Sequence, residues 1–149
     1  MSLPDRRAVV GSAPIRTHAM TSRTALLAGA TGLVGTQLTD VLLDDASFER
    51  VVTVGRRPIE RAHPKLAQVT VDFAALDPST LPEATDAFCA LGTTLRRAGS
   101  RDAFRAVDHD AVLAFARAAQ QRGVTRFYIV SALGADARSL TFYNRVKGE

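Results

Sequence analysis

The chain has 149 residues and a mass of 15.9 kDa, about the size of one domain, with a formal net charge of +4. Apolar residues make up 46% and charged residues 23%, which excludes a disordered, collagen-like or disulfide-framework protein. No apolar run approaches the roughly 18 residues of a membrane-spanning helix. The modest charge and the absence of tryptophan for base stacking argue against nucleic-acid binding.

The single cysteine, Cys89, has no partner for an internal disulfide, so we expect a reducing, cytoplasmic compartment. Residues 1–22 contain two prolines and show no sustained helix or strand period, so we expect a flexible leader outside the fold. This segment lacks the apolar core of a secretory signal. Two alternatives stay open: an arginine-rich organellar transit peptide without a clear amphipathic face, or a chain that begins at Met20.

The rest of the chain alternates short apolar segments with amphipathic ones. The segments that we predict as buried parallel strands are 24–28, 51–54, 68–71, 86–91 and 126–130. The first helix is predicted around 33–42, and a long helix runs from Phe104 to a C-terminal glycine near Gly123. A short helix is predicted where Asp77, a good N-cap, precedes Pro78. Strands separated by helices predict an α/β fold with a doubly wound parallel sheet.

A glycine-rich loop with the sequence GATGLVG joins the first strand to the first helix. Gly29 allows a sharp turn, Gly32 leaves room for a pyrophosphate, and Gly35 lets the helix pack closely against the sheet. The N–H groups and the dipole at the helix N-terminus favour an anion. A Rossmann sheet of order 3-2-1-4-5 binds dinucleotides at such a loop. The contact residues expected here are Gly29, Thr31, Gly32, Leu33, Val34 and Gly35.

The end of the second strand carries Arg56 and Arg57, where an NAD-binding site usually has an acidic residue. Guanidinium groups bind a 2′-phosphate through charge-assisted hydrogen bonds, so NADP(H) is favoured over NAD(H). The alternative is two solvated surface arginines. After the third strand, Asp72 and Phe73 are placed to meet the adenine, and capping of the next turn is the alternative role of Asp72.

The segment after the fourth strand lies across the topological switch point from the glycine loop in a 3-2-1-4-5 sheet. Gly92 lets a cofactor pass close to the backbone, and the hydroxyls of the two following threonines can reach a phosphate or ribose. The candidate contact residues are therefore Leu91, Gly92, Thr93 and Thr94. Arg96 and Arg97 come next; we expect them on a solvated face of the loop, and the alternative is that they add positive charge over the site.

Tyr143 and Lys147 are four residues apart and so share one face of a helix. Ser131 lies at the end of the fifth predicted strand, twelve residues before Tyr143. This arrangement, together with the GxxGxxG loop, resembles the short-chain dehydrogenase/reductase family. The resemblance implies that Tyr143 is a general acid–base, that Lys147 favours its phenolate and binds the nicotinamide ribose, and that Ser131 polarises a substrate carbonyl.

The sequence is most similar to the atypical branch of this family that includes the HIV Tat-interacting protein and its bacterial relatives. The similarity runs from about Thr24 to Glu149 and rests on segments 89–94, 107–110, 131–136 and 143–149. Asp108 departs from the pattern, because other branches often have an asparagine of a proton relay at this helix position. The departure argues against a complete four-residue relay.

The resemblance implies an oxidoreductase that transfers hydride to or from a small carbonyl compound or alcohol. Two alternatives stay open: a nucleotide-sensing module that regulates a protein partner without turnover, and a fragment of an NAD-dependent sugar-nucleotide epimerase or dehydratase. No metal site is expected, because His18, His63 and His109 lack metal-ligand spacing with each other and with Cys89. Cys89 is predicted to be a small core residue.

The family continues beyond the position of Lys147 with further strands and a segment that shapes the substrate pocket. We therefore expect residues 23–149 to form a C-terminally incomplete Rossmann domain whose cofactor-binding half is nearly whole. An uncovered fifth strand and last helix would expose apolar surface and favour self-association. We expect weak turnover, or none, of this chain alone.

Overall fold

Five strands form one parallel sheet of order β3-β2-β1-β4-β5 in the computed structural model, which describes residues 22–149. The order and the doubly wound architecture confirm the fold predicted from the sequence. The leader predicted for residues 1–22 lies outside the described residues except for its last position. The strands are β1 (Arg23–Ala28), β2 (Phe48–Gly55), β3 (Leu66–Thr70), β4 (Asp86–Cys89) and β5 (Arg126–Ile129).

The central strand, β1, is the most buried element because helices cover the sheet on both faces. Residues 25–28 have no exposed surface and pair with β2 on one side and β4 on the other. One core cluster packs the sheet against Phe115 and its helix, and a second packs the opposite face against Leu42 and Leu43. The continuous apolar run of β1 thus encodes a strand covered on both sides.

The helices connect the strands as the sequence predicts, with one short addition after β4. Asp77 caps a 3₁₀ turn, and its carboxylate accepts a hydrogen bond from the Ser79 N–H at 2.8 Å. Pro78 is the first residue of that turn, which confirms the predicted start signal. The α-helices are α1 (Leu33–Asp44), α2 (Leu95–Ala98), α3 (Arg101–Arg105), α4 (Ala111–Gln121) and α5 (Phe142–Gly148).

The long helix predicted between β4 and β5 is present from residue 101 to residue 121, and it contains a π-helical segment that the sequence did not predict. A π-helical segment, Ala106–Asp110, separates α3 from α4. Phe104 and Phe115 lie on either side of it and have no exposed surface. The apolar spacing stays compatible with an uninterrupted α-helix, so periodicity alone does not reveal the wider turn. The helix ends at Gln121, and Gly123 has a φ of +85°, as expected for a C-terminal glycine.

The edge strand β5 is exposed along its whole length. Ile129 is 53% exposed and Tyr128 is 46% exposed, although the Tyr128 ring also stacks on Phe88. This agrees with the predicted exposure of apolar surface at this edge. None of the helices in residues 22–149 combines the length and the apolar character needed to cross a bilayer.

Candidate cofactor and active site

The loop after β1 turns sharply into α1. Gly29 has a φ of +88°, a left-handed conformation that favours glycine. A Cβ on Gly29 would lie 2.5 Å from the backbone carbonyl of Ala90, so the segment directly after β4 approaches the loop too closely for a side chain. A Cβ on Gly35 would lie 2.0 Å from the Gly29 carbonyl oxygen. Gly35 therefore allows α1 to pack on the loop itself, whereas the sequence predicted packing on the sheet.

A cavity of about 370 Å³ opens where the carboxyl ends of β1, β2 and β4 meet. Gly32 faces open space, because a Cβ there would meet only the Gly29 carbonyl oxygen at 3.4 Å. The helix behind it begins at Leu33, and the N–H groups of its first turn have no intrahelical acceptor. The predicted cofactor residues that line the cavity are Gly29, Thr31, Gly32, Arg56, Arg57, Phe73, Leu91, Gly92 and Thr93.

Three arginines border the cavity. Arg56 and Arg57 extend from the end of β2, and Arg97 comes from α2 on the other side. Arg97 is exposed, as expected, and it also lines the cavity, which agrees with the alternative that the sequence left open for it. Within residues 22–149, no ion pair joins any of the three to a carboxylate. Their charges are therefore available to an anion in the cavity.

Five predicted cofactor residues lie outside the cavity lining. The Asp72 carboxylate accepts a hydrogen bond from the Ala74 N–H at 3.0 Å. Asp72 therefore caps the following turn, which is the alternative role that the sequence offered. The Thr94 hydroxyl oxygen accepts from the Arg97 N–H at 3.1 Å and caps α2. Leu33 is 87% exposed on the first turn of α1. The full set is Leu33, Val34, Gly35, Asp72 and Thr94.

The three candidate catalytic residues lie around α5. The Ser131 hydroxyl, just beyond β5, donates to the main-chain carbonyl of Lys147 at 3.3 Å. The Tyr143 ring packs against Phe104 with 5.5 Å between ring centroids, and Tyr143 is 37% exposed. The Lys147 ammonium lies beside the cavity, because a Cβ on Gly92 would be 3.4 Å from its Nζ. The structure thus brings Ser131 to Lys147, and Lys147 to the cavity wall.

Asp108 is the residue of this site that sequence reasoning missed. Its carboxylate has no exposed surface and lies 2.7 Å from the Lys147 Nζ through Oδ1. Its other oxygen, Oδ2, accepts from the Thr93 N–H at 2.8 Å. The sequence drew attention to Asp108 as a departure from the family pattern and did not predict its contacts with Lys147 and Thr93. Its helical spacing from the apolar residues Phe104, Ala111 and Val112, which puts an acid on their face of the predicted helix, was the available signal.

The cysteine and the described histidines, which the sequence analysis considered as metal ligands, contact groups of the fold instead. Cys89 is buried at the end of β4, as predicted, and burial raises the pKa of its thiol. The His63 Nδ1 accepts from the Lys65 N–H at 3.1 Å, and the His109 Nδ1 lies 2.7 Å from an Asp110 oxygen. His18 lies outside the described residues. Within those residues, no three metal-ligating side chains cluster together.

The cavity fits a dinucleotide. Its charged groups are the three guanidiniums, and no carboxylate is among the residues that line it. The N-terminus of α1 follows directly after Gly32, which lines the cavity, so the positive end of the helix dipole adds attraction for phosphate oxygens. Ile59, Phe73 and Leu91 supply apolar surface for a base. These features are the ones expected of a Rossmann protein that binds a dinucleotide.

The comparison with known families agrees with this class. A family described as NAD(P)H-binding matches residues 29–148, which include the glycine loop, the cavity and α5. The chain belongs to this NAD(P)H-binding family. Its membership confirms the predicted relation to the short-chain dehydrogenase/reductases.

Curated relatives match most of the chain. It is 36% identical to "Protein FMP52, mitochondrial" of Debaryomyces hansenii over 129 residues, which are 84% of the chain and 57% of that protein. It is 38% identical to "Protein HTATIP2" of Rattus norvegicus over 135 residues, which are 87% of the chain and 55% of that protein. The second match confirms the predicted Tat-interacting-protein-like branch. The chain spans just over half the length of these relatives.

Solved structures share the fold at lower identity. "MoeE5 in complex with UDP-glucose and NAD" has a TM-score of 0.69 and 22% identity, and the match covers 83% of this chain and 45% of that one. A uronate dehydrogenase from Agrobacterium tumefaciens has a TM-score of 0.65 and 18% identity, covering 85% of this chain and 52% of that one. These likenesses show the Rossmann architecture.

The prediction of a cytoplasmic location is wrong. It rested on the single cysteine and on the absence of an apolar signal in the sequence. The fungal relatives from Debaryomyces hansenii and Eremothecium gossypii are both named as mitochondrial proteins. A mitochondrial matrix is also reducing enough for free thiols, so cysteine content does not distinguish the two compartments.

Proposed function

We propose that this chain is the cofactor-binding part of an NADP(H)-dependent oxidoreductase that acts on a small carbonyl compound or alcohol. The observation that carries the proposal is one cavity bordered by the glycine loop, by Arg56 and Arg57, and by Gly92 beside the Lys147 ammonium. Donors for phosphate groups and the candidate catalytic helix therefore lie along one edge of the sheet. The NAD(P)H-binding family membership supports the cofactor class.

The proposed roles follow from the chemistry of the side chains around α5. The bound cofactor supplies the hydride or accepts it. Tyr143 exchanges a proton with the substrate oxygen, and its partial exposure leaves the hydroxyl accessible to a ligand. Ser131 donates to the same oxygen after its hydroxyl turns away from the Lys147 carbonyl. Lys147 supplies positive charge next to the cavity.

The preference for the 2′-phosphate rests on the end of β2. Arg56 and Arg57 are both exposed there, and the adjoining cavity wall holds no carboxylate among the described residues. An acidic residue at this position would bind ribose hydroxyls and repel a third phosphate. Two guanidiniums instead attract that phosphate through bidentate hydrogen bonds.

Calorimetric titration of the chain with NADPH and NADH tests the proposal directly. We expect NADPH to bind at least about tenfold more tightly than NADH, because charge-assisted bonds to the extra phosphate add affinity. Arg56→Glu should weaken NADPH about tenfold or more and change the affinity for NADH by less than about twofold.

Arg50→Glu is the matched control, because Arg50 is an exposed arginine on the same strand at the opposite end. This control should leave both affinities unchanged. Equal weakening of both cofactors by Arg56→Glu would contradict the selectivity argument. A wild-type chain that binds neither cofactor would contradict the proposed function itself.

The role of Tyr143 requires a form of the protein that turns over a carbonyl substrate. In such a form, Tyr143→Phe should lower kcat by about 10²–10⁴-fold, because general acid–base catalysis contributes about that factor. The affinity for NADPH should stay within about threefold of wild type. Turnover at the wild-type rate would refute the assignment.

A second candidate function is a nucleotide-dependent binding module without turnover. It is favoured by one observation: two of the three candidate catalytic groups already have internal partners. The Lys147 ammonium is paired with Asp108, and the Ser131 hydroxyl is bonded to the Lys147 carbonyl. Cofactor binding without consumption across a broad panel of carbonyl compounds would support this alternative.

A further inference from the structure

The loop after β2, which carries both arginines of the proposed 2′-phosphate site, is bonded to the edge strand β3 by one glutamine. The Gln68 side-chain oxygen accepts from the Ile59 N–H at 2.7 Å, and its NH₂ group donates to the Ile59 carbonyl at 3.1 Å. The same NH₂ group lies 3.5 Å from the Arg61 carbonyl oxygen. One side chain of β3 therefore bonds both the N–H and the C=O of the loop main chain.

Gln68 lies on the face of the sheet that the loop covers. Leu66 and Ile59 both pack against the core cluster of that face, and Gln68 follows Leu66 by two residues in β3. Side chains two residues apart in a strand point to the same face. A glutamine side chain offers both an acceptor and donors, which match the N–H and the C=O of one main-chain residue. Gln68 therefore bonds the loop as a neighbouring strand would.

The loop has open space on both sides. Ile59 lines the dinucleotide cavity and also a second cavity of about 330 Å³ between the loop and α1. Packing alone therefore leaves room for the loop to shift, and its bonds decide where it lies. Its other tether is an ion pair of Arg61 with Asp40, in which both side chains are 41% exposed. Exposed ion pairs contribute little, so we expect the bonds from Gln68 to matter more.

The position of Ile59 is passed on to the arginines through Pro58. Proline fixes its own φ and restricts the residue before it to extended conformations. Two residues of extended chain span at most about 7 Å, so a fixed Ile59 leaves little freedom to Arg57. On the other side, Gly55 is the last residue of β2 and pairs with β3. Arg56 and Arg57 thus lie between two anchored points.

We propose that Gln68 is a positioning residue that sets the preference for NADP(H) by holding the loop of residues 56–61, so that its two guanidiniums border the cavity. Gln68 acts through the loop main chain and is not among the residues that line the cavity. Guanidiniums on a tethered loop lose less conformational freedom when they bind a phosphate than guanidiniums on a free loop. The inference rests on the proposed preference for NADP(H), whereas the bonds between Gln68 and Ile59 exist without it.

Gln68→Met tests the inference, because it removes the polar contacts and keeps the length of the side chain. The first readout is the ratio of NADPH affinity to NADH affinity, measured by calorimetry. This ratio should fall about fivefold, because only NADPH carries the 2′-phosphate. The second is the hydrogen-exchange rate of the Ile59 amide in the unliganded chain, relative to the Ala90 amide, which bonds to the Ala28 carbonyl at 2.9 Å. The relative rate should rise at least about tenfold, because the Ile59 N–H loses its acceptor.

Gln121→Met is the matched control, because Gln121 is an exposed glutamine at the C-terminal end of α4. It should leave the affinity ratio and the relative exchange rate within about twofold of wild type. A loss of stability alone would lower both affinities together and leave their ratio unchanged. Equal changes of the ratio in Gln68→Met and Gln121→Met would therefore overturn the positioning role.

Arg61→Met compares the two tethers of the loop. It removes the exposed ion pair with Asp40 and should lower the affinity ratio by less than about twofold. A larger fall in Arg61→Met than in Gln68→Met would overturn the assignment to Gln68.

A second background tests whether Gln68 acts through the guanidiniums. In the variant that combines Arg56→Met and Arg57→Met, the loop no longer presents either group to the cavity. Adding Gln68→Met should then change the affinity ratio by less than about twofold, while exchange of the Ile59 amide still accelerates. A fivefold fall of the ratio in this background would contradict the proposal.

Failure of the proposed function has a different signature. A wild-type chain that binds neither cofactor overturns that function and, with it, the role of Gln68 in selectivity. A wild-type chain that prefers NADPH, together with an unchanged ratio in Gln68→Met, leaves the proposed function intact and overturns the positioning role alone.

Discussion

Asp86 at the start of β4 and Asp108 in the π-helical segment are both buried carboxylates with a cationic partner, but the two are surrounded differently. Asp86, at the amino end, accepts bonds from the guanidiniums of Arg23 and Arg126 and from the Thr85 hydroxyl at 2.7–3.1 Å. Asp108, near the carboxyl end, has one ammonium and one backbone amide as partners. The first carboxylate is saturated with bonds, whereas the second has only one partner for each oxygen.

The difference separates a cluster that holds the sheet together from one that serves a site. Arg23, Asp86 and Arg126 come from three adjacent strands, so their bonds tie β1, β4 and β5 at one end. The pair of Asp108 and Lys147 lies beside Gly92, which lines the cavity. We therefore expect substitutions in the first cluster to change stability and substitutions in the second to change ligand binding.

The largest expected effect is that of Asp86→Asn on stability. The substitution removes the charge that neutralises two guanidiniums, so the free energy of unfolding should fall by about 3 kcal/mol. Urea unfolding followed by circular dichroism measures it. Asp44→Asn, an exposed acid at the end of α1, should change it by less than about 0.5 kcal/mol. A loss of NADPH affinity in Asp86→Asn would contradict the proposal that this cluster affects stability and not ligand binding.

The two arginines of this cluster should not be equivalent. Arg23 also bonds to the Ser47 hydroxyl and stacks on the Phe48 ring at 4.2 Å, and its side chain is 28% exposed against 48% for Arg126. Arg23→Met should therefore cost about 2 kcal/mol of unfolding free energy and Arg126→Met about 1 kcal/mol. Equal losses would show that the additional contacts of Arg23 contribute nothing.

Acid should weaken the same cluster. Burial opposes ionisation of Asp86, but the hydrogen bonds from Arg23, Thr85 and Arg126 outweigh it and hold the pKa of that carboxyl below its ordinary value. The unfolded chain then binds more protons than the folded chain near pH 4 and below. The free energy of unfolding should therefore fall as the pH drops below about 4, since the unfolded carboxyl titrates there. Asp86→Asn should flatten this part of the stability profile, and an unchanged profile would contradict the assignment.

The smallest effect on stability is expected at the exposed edge of β5. Arg126 anchors the first residue of this strand, while Phe127, Tyr128 and Ile129 remain exposed. We expect the chain to self-associate through this edge and Ile129→Lys to reduce the association, with a change of less than about 0.5 kcal/mol in unfolding. Sedimentation velocity at several concentrations measures it. Leu133→Lys, a fully exposed site beyond the strand, should leave the association unchanged.

Most of the architecture was predictable because it is encoded locally. Apolar runs identified all five strands within about three residues of their ends, and the helix start at Asp77 followed from capping chemistry. The glycine loop was recognisable because Gly29 and Gly35 occupy positions where any Cβ would meet backbone atoms. These features depend on neighbours in the chain, so a single sequence contains them.

The parts that escaped prediction depend on packing between distant segments. The π-turn at Ala106–Asp110 leaves the apolar spacing of the helix unchanged, so hydrophobic periodicity does not predict it. The sequence left two places open for Arg97, a solvated face or the site, and only the tertiary structure shows that it borders the cavity. Asp72 was equally suited to an adenine contact and to a cap, and the observed bond to Ala74 is the cap.

The positions of the strands, the turn of the glycine loop and family membership were thus decided by the order of residues along the chain, since backbone geometry and apolar periodicity act over short distances. The pairing of charges was decided only by the tertiary structure. Asp86 and Asp108 are both acids beside apolar residues in the sequence, yet one meets two guanidiniums and the other meets an ammonium and an amide. A buried charge is stable only with the partners that the fold brings to it, and those partners come from segments far away in the chain.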